Sequence, residues 1–313
     1  MRSGIMARPG ETNACLGCHE SRVDAPLSST IVGSAAAGEP QTLEPWFGEP
    51  RLFSYYEEVQ PVFDKYCVQC HDVGEPGGEK LLLSADRNLA FNVSYWELRS
   101  KEYARVPGAG PHNVLSPNSW GAAQSKLTQI FLKGHEDPQI DAKRRDMGIF
   151  VDALSDVEAF RRVATWLDLN APYYPTYASA YRDNPYGRSP LTQEETRRLA
   201  ELTGLQGNAL AAAVYLDRPE LSPCLDRWGA AKARVSKEYD EALAIIRAGK
   251  ARLNRQGRGE EADFEPVADV EREQEKRYRY FQRRAQTVRD AKINGQSLND
   301  RQIDALVGDT WRW

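Results

Sequence analysis

Apolar residues return at helical spacing in several separate stretches, and Gly- and Pro-rich breaks divide them. A helix-like run over residues 55–66 comes first. Residues 125–133 then place Leu127, Ile130 and Phe131 at i, i+3 and i+4, which predicts a helix ended by Gly134. Ser155-Asp156-Val157-Glu158 reads as a capping box for a helix over 157–167, with Phe160, Val163, Ala164 and Leu167 on one face. A second capping box, Thr192-Gln193-Glu194-Glu195, opens a helix ending near Gly204. Two long charged patterns follow, over 226–253 and 269–294, with sparse apolar positions such as Tyr239, Leu243 and Ile246 in one and Tyr278, Phe281 and Val288 in the other. Helices of this kind pair as an antiparallel hairpin or lie along a partner. Between these elements, residues 28–40, 74–78 and 106–112 are rich in Gly, Pro, Ser or Ala and read as loops.

Composition narrows the class. A length of 313 residues suits two domains, and 41% hydrophobic content supplies cores although much of the chain is polar. The net charge of −4 invites neither nucleic acid nor an anionic membrane surface. No apolar run approaches the ~20 residues of a spanning helix, so no transmembrane segment is expected.

Chemistry concentrates in two short motifs, Cys15-Leu16-Gly17-Cys18-His19 and Cys67-Val68-Gln69-Cys70-His71. C-x-x-C-H is the attachment signature of c-type haem: two thiols about one turn apart form thioethers with the porphyrin vinyl groups, and the adjacent imidazole binds the iron. Four of the five cysteines and two of the four histidines fall inside the pattern. Closed zinc sites and thioredoxin-like pairs also use C-x-x-C. Zinc sites, however, gather four ligands, and neither motif lies in a strand–turn–helix unit. The expectation is two covalently bound haem c groups. It carries with it a periplasmic or otherwise extracytoplasmic location, and because residues 1–10 lack an apolar core the sequence is expected to be a mature form, an expression form or a piece of a longer product. The fifth cysteine, Cys224, reads as a small buried hydrophobe rather than a ligand.

The fold expected is therefore mainly α. A loop-rich first haem region covers 1–50, a cytochrome c-like helical module with the second haem covers 51–190, and a long-helix tail covers 191–313. Removal of haem should unfold the first region before the rest, since haem would supply its apolar core. The aromatics Trp46, Phe47 and Phe53 suit either a haem edge or ordinary packing.

Several blocks recur in a known order. Gly10-Glu11-Thr12 precedes CLGCHESR, and FSYYEEVQPVFDKYCVQCH, FNVSYWEL, VLSPNSWGAAQSKL, Gly134-His135, ATWLDLNAPYYPTY and DRPELSPCL follow. Over about residues 9–225 they resemble the haem-bearing C-terminal half of hydrazine synthase alpha subunits and their planctomycete-type relatives. The resemblance implies a mostly helical dihaem protein, without the β-propeller that precedes these domains in the synthase. It also implies that the first haem is a reaction centre, where a tyrosine one turn past the motif acts on the iron and the motif histidine is drawn to zinc. Here Val23 stands four residues past His19, so the tyrosine is missing and the N–N bond-forming activity does not carry over.

Two haems require His19 and His71 as proximal ligands. Of the remaining candidates, His135 resembles the family's distal ligand to the second haem, and its place after a helix end suits that role. His112, on a Gly/Pro loop, is a distal candidate for the first iron or a propionate neighbour, and Met147 and Met6 are in reserve. Arg22 and Arg51 are candidate propionate partners. The function expected is single-electron transfer to redox partner proteins, with the C-terminal helices docking into a larger complex. The alternative is a haem enzyme acting on a small nitrogen or oxygen species at the first haem.

Overall fold

The computed structural model describes residues 46–48, 51–108, 115–116, 118–229 and 236–308. The first motif, His112, Met6 and Arg22 lie outside these residues. The described chain is mainly helical, and it divides into one compact unit over Arg51–Asp269 and a second that includes Val270–Trp313. No described helix is long and apolar enough to cross a membrane.

Within the first unit, short helices α1 (Tyr55–Glu58) and α2 (Gln60–Tyr66) lead directly into the second motif. Pro61 near the start of α2 costs no hydrogen bond there and sets the helical φ. Next come α3 (Val93–Ser100), capped by Asn92, and α4 (Lys126–Lys133), which stops at Gly134. Helices α5 (Pro138–Asp146) and α6 (Val157–Asp168) follow. The cap of α6 is Asp156 rather than Ser155. The Ser155 hydroxyl is already taken by the Asp152 N–H at 2.8 Å, so Asp156 accepts from Ala159 N–H at 2.9 Å instead.

The first core is built from α1, α2, α3, α4 and α6. Tyr55 is its centre: fully buried, it meets Tyr95, Trp166 and Tyr173 at ring-centroid distances of 5.2, 4.9 and 5.6 Å, and its hydroxyl is 2.7 Å from Ser94 Oγ. Aromatic pairs of this kind contribute ~0.5–1.5 kcal/mol each beyond their burial. Gln60, also buried, donates to Leu83 O at 3.0 Å and accepts from Asn92 Nδ2 at 2.8 Å, which ties α2 to the chain that follows the motif. Tyr66 Oη donates to Asp156 at 2.6 Å and Arg162 pairs with Glu58, so α6 is fastened to the motif-bearing helices.

A second core gathers Tyr181, Leu191, Leu199, Leu210, Leu216, Cys224 and Leu225 with residues of the longest helix in this unit. Its helices are α7 (Gln193–Thr203), α8 (Gly207–Ala212) and α9 (Lys237–Gln256). Both halves of the Thr192 capping box form, and Gly204 closes α7 in the left-handed conformation. Tyr239, Ala242, Leu243, Ile246 and Leu253 of α9 face this core, so the first long charged pattern is a packed element here. It also starts later than its sequence suggests. Pro223–Trp228 is a 3-10 turn that Gly229 breaks at φ 73°, and α9 begins after its cap Ser236.

Ion pairs join the two cores. Arg87 binds Asp217 at 2.6 Å, while Arg258, fully buried with Glu260, donates to Asn88 O and Phe91 O at 2.7 Å each. In the second unit, α10 (Asp269–Ile293) and α11 (Asp300–Val307) are linked by Arg284 and by Tyr280 Oη, which donates to Asp304 at 2.8 Å.

Candidate functional site

Cys67, Cys70 and His71 lie in the tight turns that end α2. Cys67 N–H donates to Phe63 O at 2.7 Å, and Cys70 and His71 N–H both return to Cys67 O at 3.0 Å, which turns the motif back on itself. Cys67 and Val68 pack on the first core. Burial pushes the Cys67 thiol up to about 12, against a smaller pull downward from Arg144. Both thiols are free of any disulfide.

The His71 ring is oriented by backbone. Its Nδ1 lies 2.8 Å from Leu81 O, an atom that can only accept, so the proton sits on Nδ1 and the lone pair on Nε2. Gly77 makes this possible: a Cβ there would lie 2.5 Å from Cys70 O and 3.1 Å from His71 Cε1. Burial holds the imidazole below its ordinary basicity, Leu81 O works the other way, and nearby His135 and Arg144 lower it further. His135, 64 positions further along the sequence, lies within electrostatic reach of His71.

His135 is held by a group that sequence reasoning did not name, the Asp141 carboxylate. Asp141 Oδ2 accepts the His135 backbone N–H at 2.9 Å, and Oδ1 accepts Nδ1–H at 2.8 Å. Arg144, itself buried, donates to the same Oδ1 at 3.2 Å. Burial would raise the Asp141 carboxyl, but the two bonds from His135 and the charge of Arg144 bring it below the usual value, so it is an anion. That anion fixes a proton on Nδ1, so that in the neutral imidazole the lone pair is on Nε2. The turn at Gly134, with φ 82°, is required: a Cβ there would sit 2.1 Å from Asp141 Oδ2.

The donor set fits a covalently held haem on the chemistry of its groups. Two thiols one turn apart stand beside an imidazole whose Nε2 is left as donor, and a second imidazole within electrostatic reach is oriented through its own Nδ1 by a carboxylate. Among the described residues no group of three or more His, Cys, Asp or Glu is arranged to hold a bare metal ion. A haem iron takes four of its bonds from the porphyrin and needs only two from protein.

Other candidates are placed elsewhere. Met147 caps the end of α5 and is 38% exposed. Arg51 is engaged by Glu58, with one bond at 2.9 Å. Cys224 is buried in the second core, where burial pushes its thiol up to about 12. Arg218, in the DRPEL stretch, donates to Asp72 Oδ2 at 2.8 Å and Asp86 Oδ1 at 2.9 Å, fastening the residue after His71 to the second core. A Gly-Gly pair after the motif, the helix stop at Gly134 and an Asp-Pro helix start after His135 are the signals in the sequence that point toward these supports. Comparison with protein-family models, with curated proteins and with solved structures finds no match for this chain.

Proposed function

We propose that the chain is a dihaem c-type cytochrome that transfers single electrons, as a carrier or subunit of an extracytoplasmic redox complex. The observation that carries the proposal is the matched pair of imidazoles, each with Nδ1–H committed to a fixed acceptor and Nε2 left to donate. Cys67 and Cys70 would hold the second haem through thioethers, and His71 and His135 would be its axial ligands. The group, when bound, supplies one-electron cycling between ferric and ferrous iron. The protein's part is to keep both ligands in place through the change of charge: Leu81 O, Gly77 and the Arg218–Asp72 pair brace one side, Asp141 and Arg144 the other. Cys15, Cys18 and His19 repeat the attachment motif, and His112 remains a distal candidate there; these assignments rest on sequence alone.

Absorption and EPR spectra of the exported, matured protein test the reading. It expects a low-spin, six-coordinate iron at the 67–71 motif that ignores added cyanide. A high-spin iron at that motif that binds cyanide contradicts it. Docking of a redox partner through the C-terminal helices is supported by exposed Tyr278, Ile293 and Leu306 on α10 and α11. In that case Tyr278→Glu with Leu306→Glu in the full chain slows electron exchange with the partner and leaves the haem spectra unchanged; unaltered exchange removes this docking surface.

A further inference from the structure

A cavity of about 400 Å³ opens beside the first core, lined by Arg99, Glu102, Arg105, Gln124 and Lys126 among others. Its charge is lopsided, with three cations against one carboxylate. Arg87, Arg144, Arg218 and Arg258 all have carboxylate partners, whereas Arg99, Arg105 and Lys126 make no ion pair among the described residues. The Nη1 of Arg99 is shut away from solvent and has no hydrogen-bond partner among the described residues. A buried guanidinium nitrogen left in that state is costly unless an acceptor comes to it.

The surroundings are built to hold Arg99 there. It sits in the last turn of α3, whose Val93 and Leu98 are buried in the fold. Its Nη2 lies where a Cβ on Gly108 would meet it at 3.1 Å, and Gly108 is itself gripped by Asn170 through bonds of 2.9 and 2.8 Å. Lys126 opens α4 and His135 follows its end, so one eight-residue helix, about 12 Å long, runs from the cavity wall toward the proposed distal ligand His135. Arg51 is unsuited to balance a porphyrin's carboxylates because Glu58 already occupies it.

We infer that the cavity at Arg99, Arg105 and Lys126 is a carboxylate-binding seat with room for two negative charges. The propionates of a haem attached at Cys67 and Cys70 are one source of that chemistry, a source that rests on the function proposed above. A free dicarboxylate is the other. Arg99 is the fork that pairs two oxygens at once, and the two exposed cations neutralise the remainder.

The experiment uses the full chain matured with haem, its haem first counted as the pyridine haemochrome. Arg99→Gln, Arg105→Gln with Lys126→Gln, and the control Lys133→Gln, which is exposed on α4 outside the cavity, are compared for folding by circular dichroism. The reduction potential is then followed against pH. Removing a cation raises a neighbouring carboxyl's proton affinity, so propionates in the seat predict that the break in the profile moves up by about one pH unit or more in Arg99→Gln and in the double variant. Lys133→Gln leaves it in place. Succinate titrated calorimetrically into the unsubstituted chain supplies the second arm. Saturable binding that Arg99→Gln abolishes, with the potential profile unmoved, identifies a free dicarboxylate instead. An unmoved profile in both variants together with no succinate binding overturns the seat. If the count shows no haem, the electron-transfer reading falls by itself, and succinate binding to that same chain decides the seat alone.

Discussion

Asp141→Asn is the sharpest perturbation of the distal side. The carboxylate accepts three bonds, from His135 N–H at 2.9 Å, His135 Nδ1–H at 2.8 Å and Arg144 at 3.2 Å, and it is nearly inaccessible to solvent. Hydrogen bonds to a charged group contribute ~1.5–3 kcal/mol each, and a buried cation left without its counter-charge costs ~3–5 kcal/mol. An amide keeps one acceptor oxygen but turns its NH₂ toward a donor, so about half of the bonding survives. The net loss is about 3 kcal/mol. With a urea dependence of ~3 kcal/mol per molar for a unit this large, the unfolding midpoint falls by roughly 1 M. The same substitution frees the His135 ring to rotate, and losing such a support typically weakens metal ligation ~10–100-fold. Urea titration by circular dichroism and the spin state of the matured protein are the two readouts. A midpoint within about 0.2 M of the unsubstituted chain, with a fully low-spin spectrum, would refute the reasoning.

Other expectations follow from the same geometry. Gly77→Ala forces a Cβ against Cys70 O and the His71 ring, so the haem-to-protein ratio at the 67–71 motif falls and stability drops by ~1–3 kcal/mol; a full ratio with unchanged unfolding speaks against it. Arg258→Met strands Glu260, one of whose oxygens already lacks a partner, and costs ~3–5 kcal/mol, while adding Glu260→Gln recovers part of the loss in a double-mutant cycle. Asp217 is half-buried, and the partial loss of solvent would raise its carboxyl, but Arg87 holds it below its ordinary 3.8. Its stabilising contribution is therefore complete above 3.8 and is lost as pH falls through the depressed folded value. Asp217→Asn should flatten the acid limb of unfolding below 3.8 and lower stability at neutral pH; an unchanged limb would assign the acid sensitivity elsewhere.

Local signals carried much of the helical architecture. The α4 stop at Gly134 and the α7 box at Thr192 were legible because each depends on a few neighbouring residues. The expected helix over 226–253 erred at its start because Gly229 breaks the chain in a conformation that periodicity does not register. α11 and its Asn299–Gln302 box were missed for want of an apolar stripe long enough to notice. Site residues divide the same way. The motif announced Cys67, Cys70 and His71, but Asp141 reaches His135 only through the reversal at Gly134, and Arg218 reaches Asp72 across 146 positions. The Leu81 carbonyl is backbone and carries no sequence signature. Long-range supports of this kind become visible only when the chain is folded.

The most direct measurement is the mass of the peptide bearing Cys67, Cys70 and His71, taken from protein matured in an exporting host. The account predicts one haem joined to that peptide through both sulfurs. Bare thiols, or zinc in place of the porphyrin, would contradict it.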